Sequence, residues 1–414
     1  MKILMAPFNM ANMPQLLCEE LRRKGFHAKF VQYTSHGQRH RFGYSVDEYI
    51  DIYTEGKSYR TQLKTLKKYI DDGYDIFHFW NRSLLYTIQY TNLTGLDLVF
   101  LKTHNKRILH RFTGFDLRRP SLDLELNPYS CFRYGYTHNF DETRQQRYLD
   151  FISQYVDIFI VQDPEMHQFW PDAKLVPRGL NLNNWPFVGI SPTDEPLIVH
   201  APSNGEVKGT SIILKAIEEL LSENFKFKFK LIQGMNHQQA IEWYKRADII
   251  IDQILIGATG VLTLEAWALG KPVVVYLPEH LWKPFYGEIP AASANPDNIK
   301  QVLRELITDY ERRKSLSHAG RKIVEKHHNI SDIANSLIDI YQDILDKPAR
   351  LPTNTTDIDY FIFQLDGAPR KNPHKWFASL RTKIMKIADF LSPKTPLIIK
   401  KIFVKPYYWI IKKL

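Results

Sequence analysis

Short apolar runs alternate with amphipathic stretches along most of the chain. Lys2–Ala6 reads as a strand, and Pro14–Lys24 carries its leucines at helical spacing. A second strand covers His27–Tyr33, and residues 36–70 are polar and helical in part. Strands are predicted at Tyr74–Phe79, Leu98–Lys102 and Val156–Val161, with a weaker one near Lys106–Phe112. Apolar runs separated by helical patterns predict a parallel sheet covered on both faces.

Residues 187–196 (FVGISPTDEP) read as a linker, after which the alternation restarts. Strands at Leu197–His200, Phe227–Ile232, Ile249–Gln253 and Val273–Tyr276 interleave with helices at Ser211–Ser222, Gln238–Arg246 and Val261–Leu269. The pattern predicts two α/β, Rossmann-like, doubly wound domains, 1–186 and 197–345, facing a central cleft at their strand carboxyl ends. The helix at Ile333–Ile344 ends this body, and the prolines of 346–373 mark a connector.

The most informative stretch is 248–275. There an apolar strand leads into a small-residue turn, a helix with one acid, a Gly stop and a second apolar strand. A helix start of this kind favours an anion, because its unpaired N–H groups and its dipole both point at the turn. Glu265 follows just over one turn into the helix, placed to accept hydrogen bonds from hydroxyls beside that anion. Gly270 reads as the C′ residue, with Lys271-Pro272 blocking continuation.

Composition adds little until charge is located. The chain has 414 residues, 44% hydrophobic and 24% charged, as in ordinary globular proteins. Its net charge is +10, but residues 368–414 hold 12 Lys/Arg and one acid, leaving the first 367 residues with 43 basic and 44 acidic side chains. The body therefore needs no nucleic-acid partner. Cys18 and Cys131 read as reduced thiols of a cytoplasmic protein, and Met1–Ala6 reads as a strand, not a secretory leader. On that reading the sequons at Asn81, Asn92, Asn329 and Asn354 carry no weight. The histidines, among them His36, His40, His104, His110, His327 and His328, lack zinc-like spacing, so no metal is expected. His78 reads as a hydrogen-bonded strand-end residue. The loop Asn9–Met13 lacks the glycines of a dinucleotide fingerprint, which argues against an NAD enzyme.

Taken in order, HAPSNGEVKGT (200–210), Lys230–Gly234, Ala247–Asp252, the Gly257–Pro272 block, Gly320-Arg321 and His327-His328 resemble the second domain of GT-B glycosyltransferases of the retaining family 4 type. YDIFHFW (74–80), TGFDLR (113–118) and VPRGL (176–180) extend the resemblance through the first half, so that it spans roughly residues 1–345. It implies a nucleotide-sugar co-substrate and no other cofactor. Lys208, beside Gly209, matches the lysine that contacts the donor diphosphate, although a solvated loop lysine is the plain alternative. Glu265 matches the second glutamate of E-x7-E, which holds the ribose. Gly257, Ala258, Thr259 and Gly260 offer backbone N–H groups to the donor, and Gly234 belongs to the same donor-side set.

This chain also departs from the pattern. The first glutamate of E-x7-E is replaced by Gly257, and Asp252 is a substitute carboxylate or a helix cap. Ser203 stands where an arginine is usual, so Arg178 or Arg111 is a compensating cation. Thr113 replaces a histidine that contacts the transferred sugar and, with Lys208, is counted among the catalytic residues. Asp116 then becomes the carboxylate that acts in catalysis or orients the acceptor. Arg118 is its ion-pair partner or an acceptor-phosphate contact, unless the pair simply fixes a loop. Asn9 and Asn12, after the first strand, complete the acceptor side.

In the tail, Phe377, Leu380, Ile384, Ile387 and Leu391 form a helical stripe among Lys375, Arg381, Lys383 and Lys386. Aromatics mixed with lysines run on to Leu414. Residues 374–414 thus read as a basic amphipathic segment lying on an anionic membrane surface, with docking on the body or nucleic-acid binding as alternatives. The expectation is a metal-independent hexosyltransferase, peripheral on the inner face of a bacterial membrane. It would act on a saccharide or lipid-linked saccharide in surface-polysaccharide assembly. A non-catalytic scaffold or another sugar-nucleotide enzyme, such as an epimerase, stands against it.

Overall fold

The computed structural model describes residues 1–34, 44–51, 59–82, 96–137 and 141–349. Its first sheet comprises β1 (Lys2–Pro7), β2 (His27–Thr34), β3 (Glu48–Asp51), β4 (Ile76–Trp80), β5 (Arg107–Arg111), β6 (Ile158–Val161) and β7 (Lys174–Leu175). They lie in the order β3-β2-β1-β4-β5-β6-β7. The second comprises β8 (Leu197–His200), β9 (Lys228–Leu231), β10 (Ile249–Ile251), β11 (Val273–Val275) and β12 (Ala292–Ser293), in the order β12-β11-β10-β8-β9. Every ladder is parallel. Parallel neighbours need crossovers, which bury strands on both faces, and every residue of β4 and β5 is buried accordingly. The two expected doubly wound α/β halves are present.

The crossovers of the first half use α1 (Met13–Arg23), α2 (Tyr59–Asp71), α3 (Leu96–Thr103), α4 (Pro120–Leu126) and α5 (Glu142–Ile152). Those of the second use α6 (Gly205–Lys208), α7 (Thr210–Ser222), α8 (His237–Arg246), α9 (Val261–Ala268) and α10 (Glu279–Tyr286). The helices α11 (Ile299–Thr308), α12 (Tyr310–His327) and α13 (Ile330–Asp346) follow.

Two assignments differ from the sequence pattern. Leu98–Lys102, expected as a strand, lies inside α3. Leu98, Val99, Phe100 and Leu101 are all at most 2% exposed, so this helix is buried around its circumference and shows no polar face to betray its period. The polar stretch 36–70 contains α2 but also β3, an edge strand held in register by Val31 opposite Glu48. The weaker strand expected near Lys106–Phe112 is present as β5, an interior strand whose buried Arg107, His110 and Arg111 dilute the apolar signal.

The linker is strapped down. The N–H groups of Val188 and Gly189 both donate to the Leu269 carbonyl at 3.0 Å, and Phe187 packs against Gly270. Gly270 has φ 72° and ends α9 as expected, and a Cβ there would lie 2.2 Å from the Phe187 ring.

The last helix follows the second half in sequence but packs on the first. Tyr341 meets His78 at 2.7 Å, Arg107 donates to the Ile344 and Lys347 carbonyls at 2.7 Å, and Lys24 reaches Ser331 at 2.8 Å. One apolar cluster therefore runs from β1 and α1 through α13 into the second half. Among the described residues no helix is long and apolar enough to cross a membrane. The basic tail 374–414, most of the connector, and His36 and His40 lie outside the described residues.

Leu337, fully buried on α13, tests this docking. Leu337→Ala is expected to lower unfolding free energy by about 2–5 kcal/mol in urea titration. A loss below about 0.5 kcal/mol, typical of surface positions, would contradict the packing.

Candidate functional site

The turn between β10 and α9 is built around Asp252, which is fully buried. Its Oδ2 accepts from the Thr263 N–H at 3.2 Å and from the Thr263 hydroxyl at 2.6 Å, while Oδ1 takes the Lys208 ammonium. The chain thus supplies its own anion to the start of α9, where negative charge is favoured. Burial alone would raise the Asp252 pKa. The Lys208 charge and the Thr263 hydroxyl outweigh it and hold the carboxyl below its ordinary range. A Cβ on Gly260 would lie 2.2 Å from Asp252 Oδ2, so glycine there makes room for the carboxylate.

Lys208 ends α6, a single turn capped by the Asn204 side chain. Gly209 follows with φ 79°, and a Cβ there would meet Ile254 at 2.7 Å. Both features fit a sharp corner against the second sheet. Gly257 has φ 75°, and its carbonyl accepts from Trp282 Nε1 at 2.8 Å. A glutamate would be strained in that backbone conformation, which accounts for the missing first acid of E-x7-E. Ala258 is buried, with its carbonyl bonded to Gln253.

Glu265 is 4% exposed, and its Oε1 meets His237 Nε2 at 2.7 Å. Burial raises the Glu265 pKa, while the glutamate in turn raises that of His237 against the opposing effect of burial. His237 opens α8 behind an Asn236–Gln239 capping box, with Tyr44 edge-on at 5.7 Å and Trp185 at 6.3 Å. Gly234, in the preceding loop, has φ 71° and open space on its Cβ side. His237 went unnoticed in the sequence. Asn-His-Gln-Gln marks a helix start, but nothing in it points to Glu265.

In the first half, the Asp116 carboxylate accepts from the N–H groups of Thr113 at 3.0 Å and Gly114 at 2.6 Å, closing its own loop. Burial lifts its pKa to about 6. The Thr113 hydroxyl lies 3.3 Å from Asp116 and accepts from Asn81 at 2.8 Å. Arg118 does not pair with Asp116. Its guanidinium forms a two-pronged bond to Glu165, at 2.8 and 2.7 Å, with both residues buried. Asn9 Oδ1 accepts from the Asn12 N–H at 2.8 Å, and Asn12 enters α1 with φ 64°.

Solved structures of low sequence identity share this architecture. The chain aligns with sucrose-phosphate synthase from Thermosynechococcus elongatus over 84% of its length and all of that chain, at 15% identity and TM-score 0.54. Anabaena HepE, solved with UDP and glucose, aligns over 83% of this chain and 100% of its own, at 12% identity and TM-score 0.54. The catalytic domain of starch synthase IV from Arabidopsis thaliana, bound to ADP and acarbose, covers 84% and 99% at 11% identity and TM-score 0.55. The chain has the GT-B glycosyltransferase fold. No family model and no curated protein matches it.

In a GT-B molecule the cleft between the halves is the place for ligands. Here Arg178 spans it. Its Nη2 donates to Asp163 at 2.6 Å and, in the other half, to the Thr259 carbonyl at 2.6 Å and hydroxyl at 2.7 Å. Thr259 in turn donates to Asp163 at 2.9 Å. Of the two compensating cations proposed for the Ser203 position, Arg178 reaches the turn, whereas Arg111 lies over Trp80 with one bond, to the Val176 carbonyl. Asn127 and Tyr129 also cross, to the Leu255 carbonyl and to Asp297. A cavity of about 420 Å³ opens beside them, lined by Tyr129, Glu165, Gly257, Tyr276 and Asn298. Gly257 lines it, whereas Lys208 and Glu265 do not.

Breaking the Asp252 pair tests the turn. Asp252→Asn strands a buried ammonium and is expected to destabilise by about 3–5 kcal/mol in chemical denaturation. The double change Asp252→Leu with Lys208→Met should lose less than the single one. Equal losses would mean that the two charges do not act as a pair.

Proposed function

We propose that this chain is a glycosyltransferase moving a sugar from a nucleotide-sugar donor to a saccharide or lipid-linked saccharide. The observation that carries the reading is Glu265. It is a carboxylate buried just over one turn into the helix that faces the cleft of a GT-B fold, with one oxygen on His237 and the other without a hydrogen bond among the described residues. A ribose with two vicinal hydroxyls suits that free oxygen, because bonds to a carboxylate are charge-assisted. Neighbours of this fold were solved with UDP and with ADP, which supports the same ligand class here.

The diphosphate would sit against the Gly257–Gly260 turn, where α9 leaves the N–H groups of Val261 and Leu262 without intrahelical partners. Lys208 is committed to Asp252, so it acts there as half of a neutral pair unless the donor displaces the carboxylate. Neutralising the leaving group without a metal, retention of configuration and membrane docking through residues 374–414 belong to the same proposal. Asp116, with a pKa near 6, would take a proton from the acceptor hydroxyl at neutral pH. The Lys208–Asp252 pair also favours a second reading, in which nucleotide is bound but no sugar is transferred.

Incubation with a panel of nucleotide sugars separates the two, because only a transferase releases free nucleoside diphosphate. Glu265→Ala should weaken nucleotide affinity by about ten- to a hundredfold in calorimetry, the worth of a charge-assisted hydrogen bond. Unchanged affinity would remove the ribose from this glutamate. For turnover, kcat/KM should rise with pH through about 6, as Asp116 ionises. That limb should vanish in Asp116→Asn. A wild-type profile flat between pH 5 and 7 would exclude Asp116 as the base.

A further inference from the structure

Arg111 is a buried cation that the reading above leaves without a task. It ends β5 opposite Trp80 of β4 and is 1% exposed. One nitrogen, Nη1, donates to the Val176 carbonyl at 2.8 Å, while Nε and Nη2 have no acceptor among the described residues. Its guanidinium lies 4.8 Å from the Trp80 ring, and the Trp80 indole N–H is equally buried and unpartnered. Arg178 is near enough to oppose the Arg111 charge, and its own Nε also lacks an acceptor. Among the described residues the carboxylate in electrostatic reach is Asp163, which is already shared between Arg178 and Thr259.

Two guanidinium charges therefore face one carboxylate, with all three side chains buried and Arg178 the most exposed of them at 8%. Burial lowers the Arg111 pKa only to about 10, so it stays charged at neutral pH. An unmatched buried charge is unfavourable, and each unmade hydrogen bond adds to that. His78, stacked on Trp80 at 5.5 Å, offers no relief, because burial lowers its pKa and keeps it neutral. A bound anion satisfies both the charge and the orphaned donors.

We propose that Arg111, Arg178 and Trp80 bind a phosphate-type oxyanion at the ends of β4 and β5, reached through the cleft beside Thr259. Arginine forks match phosphate oxygens in pairs, and the indole N–H adds a further donor. The proposal does not depend on glycosyl transfer. The phosphate can be free or part of a larger ligand such as a nucleoside diphosphate.

Thermal unfolding of the full chain in rising inorganic phosphate, at ionic strength held constant with sodium chloride, tests it. The wild-type midpoint should climb with phosphate. Arg111→Met, which removes the unmatched charge, should unfold at a higher temperature than wild type without phosphate and should not respond to it. Trp80→Phe keeps the ring and loses one donor, so its phosphate affinity should fall about tenfold. It decides the matter if Arg111→Met fails to fold. A phosphate response retained in both variants, or absent from wild type, overturns the proposal. Calorimetry with UDP then identifies the source. Weaker UDP binding in Trp80→Phe assigns the oxyanion to the nucleotide, and unchanged UDP binding beside a weakened phosphate response assigns it to another ligand. Both results support the site, and neither bears on the ribose contact of Glu265.

Discussion

The turn at the start of α9 depends on one buried carboxylate. Asp252 lies under the helix end, bonded to Thr263 and neutralised by Lys208. From that placement follow the glycine at 260, which leaves room for Oδ2, and the position of α6, which brings Lys208 in. The Gly257 backbone, at φ 75°, completes a corner that a glutamate could not occupy without strain. The helix start, where negative charge is favoured, already holds a carboxylate of the chain itself.

This changes where positive charge for a ligand has to come from. With Lys208 paired, buried cations with unmade hydrogen bonds include Arg111 and Arg178, both contributed by the first half. Arg178 already touches Thr259 across the cleft. The long α13 reinforces the link, because it begins beside Leu180 and ends under β4 and β5.

Much of the architecture was legible in the sequence because parallel sheets write themselves as apolar runs spaced by helices. The stop at Gly270 and the acid within an apolar helix at Glu265 were equally plain. The helix over 96–103 was not, since a segment buried all round has no amphipathic period to read. Arg118 looked like the partner of Asp116 because the two are neighbours in sequence. In space the guanidinium turns to Glu165, 47 positions on, and Asp116 accepts from the N–H groups of Thr113 and Gly114.

Most of the alternation of strands and helices, the two-half plan and the glycine corners are written in the chain. Periodicity and local backbone preference suffice for those. Only the tertiary structure decided which charges meet. Lys208 finds Asp252 across 44 positions, Glu265 finds His237 across 28, and Arg178 finds Thr259 across 81. Such pairings depend on strand order and on the approach of the two halves, which bring distant residues within hydrogen-bond reach and leave no periodic trace in the chain.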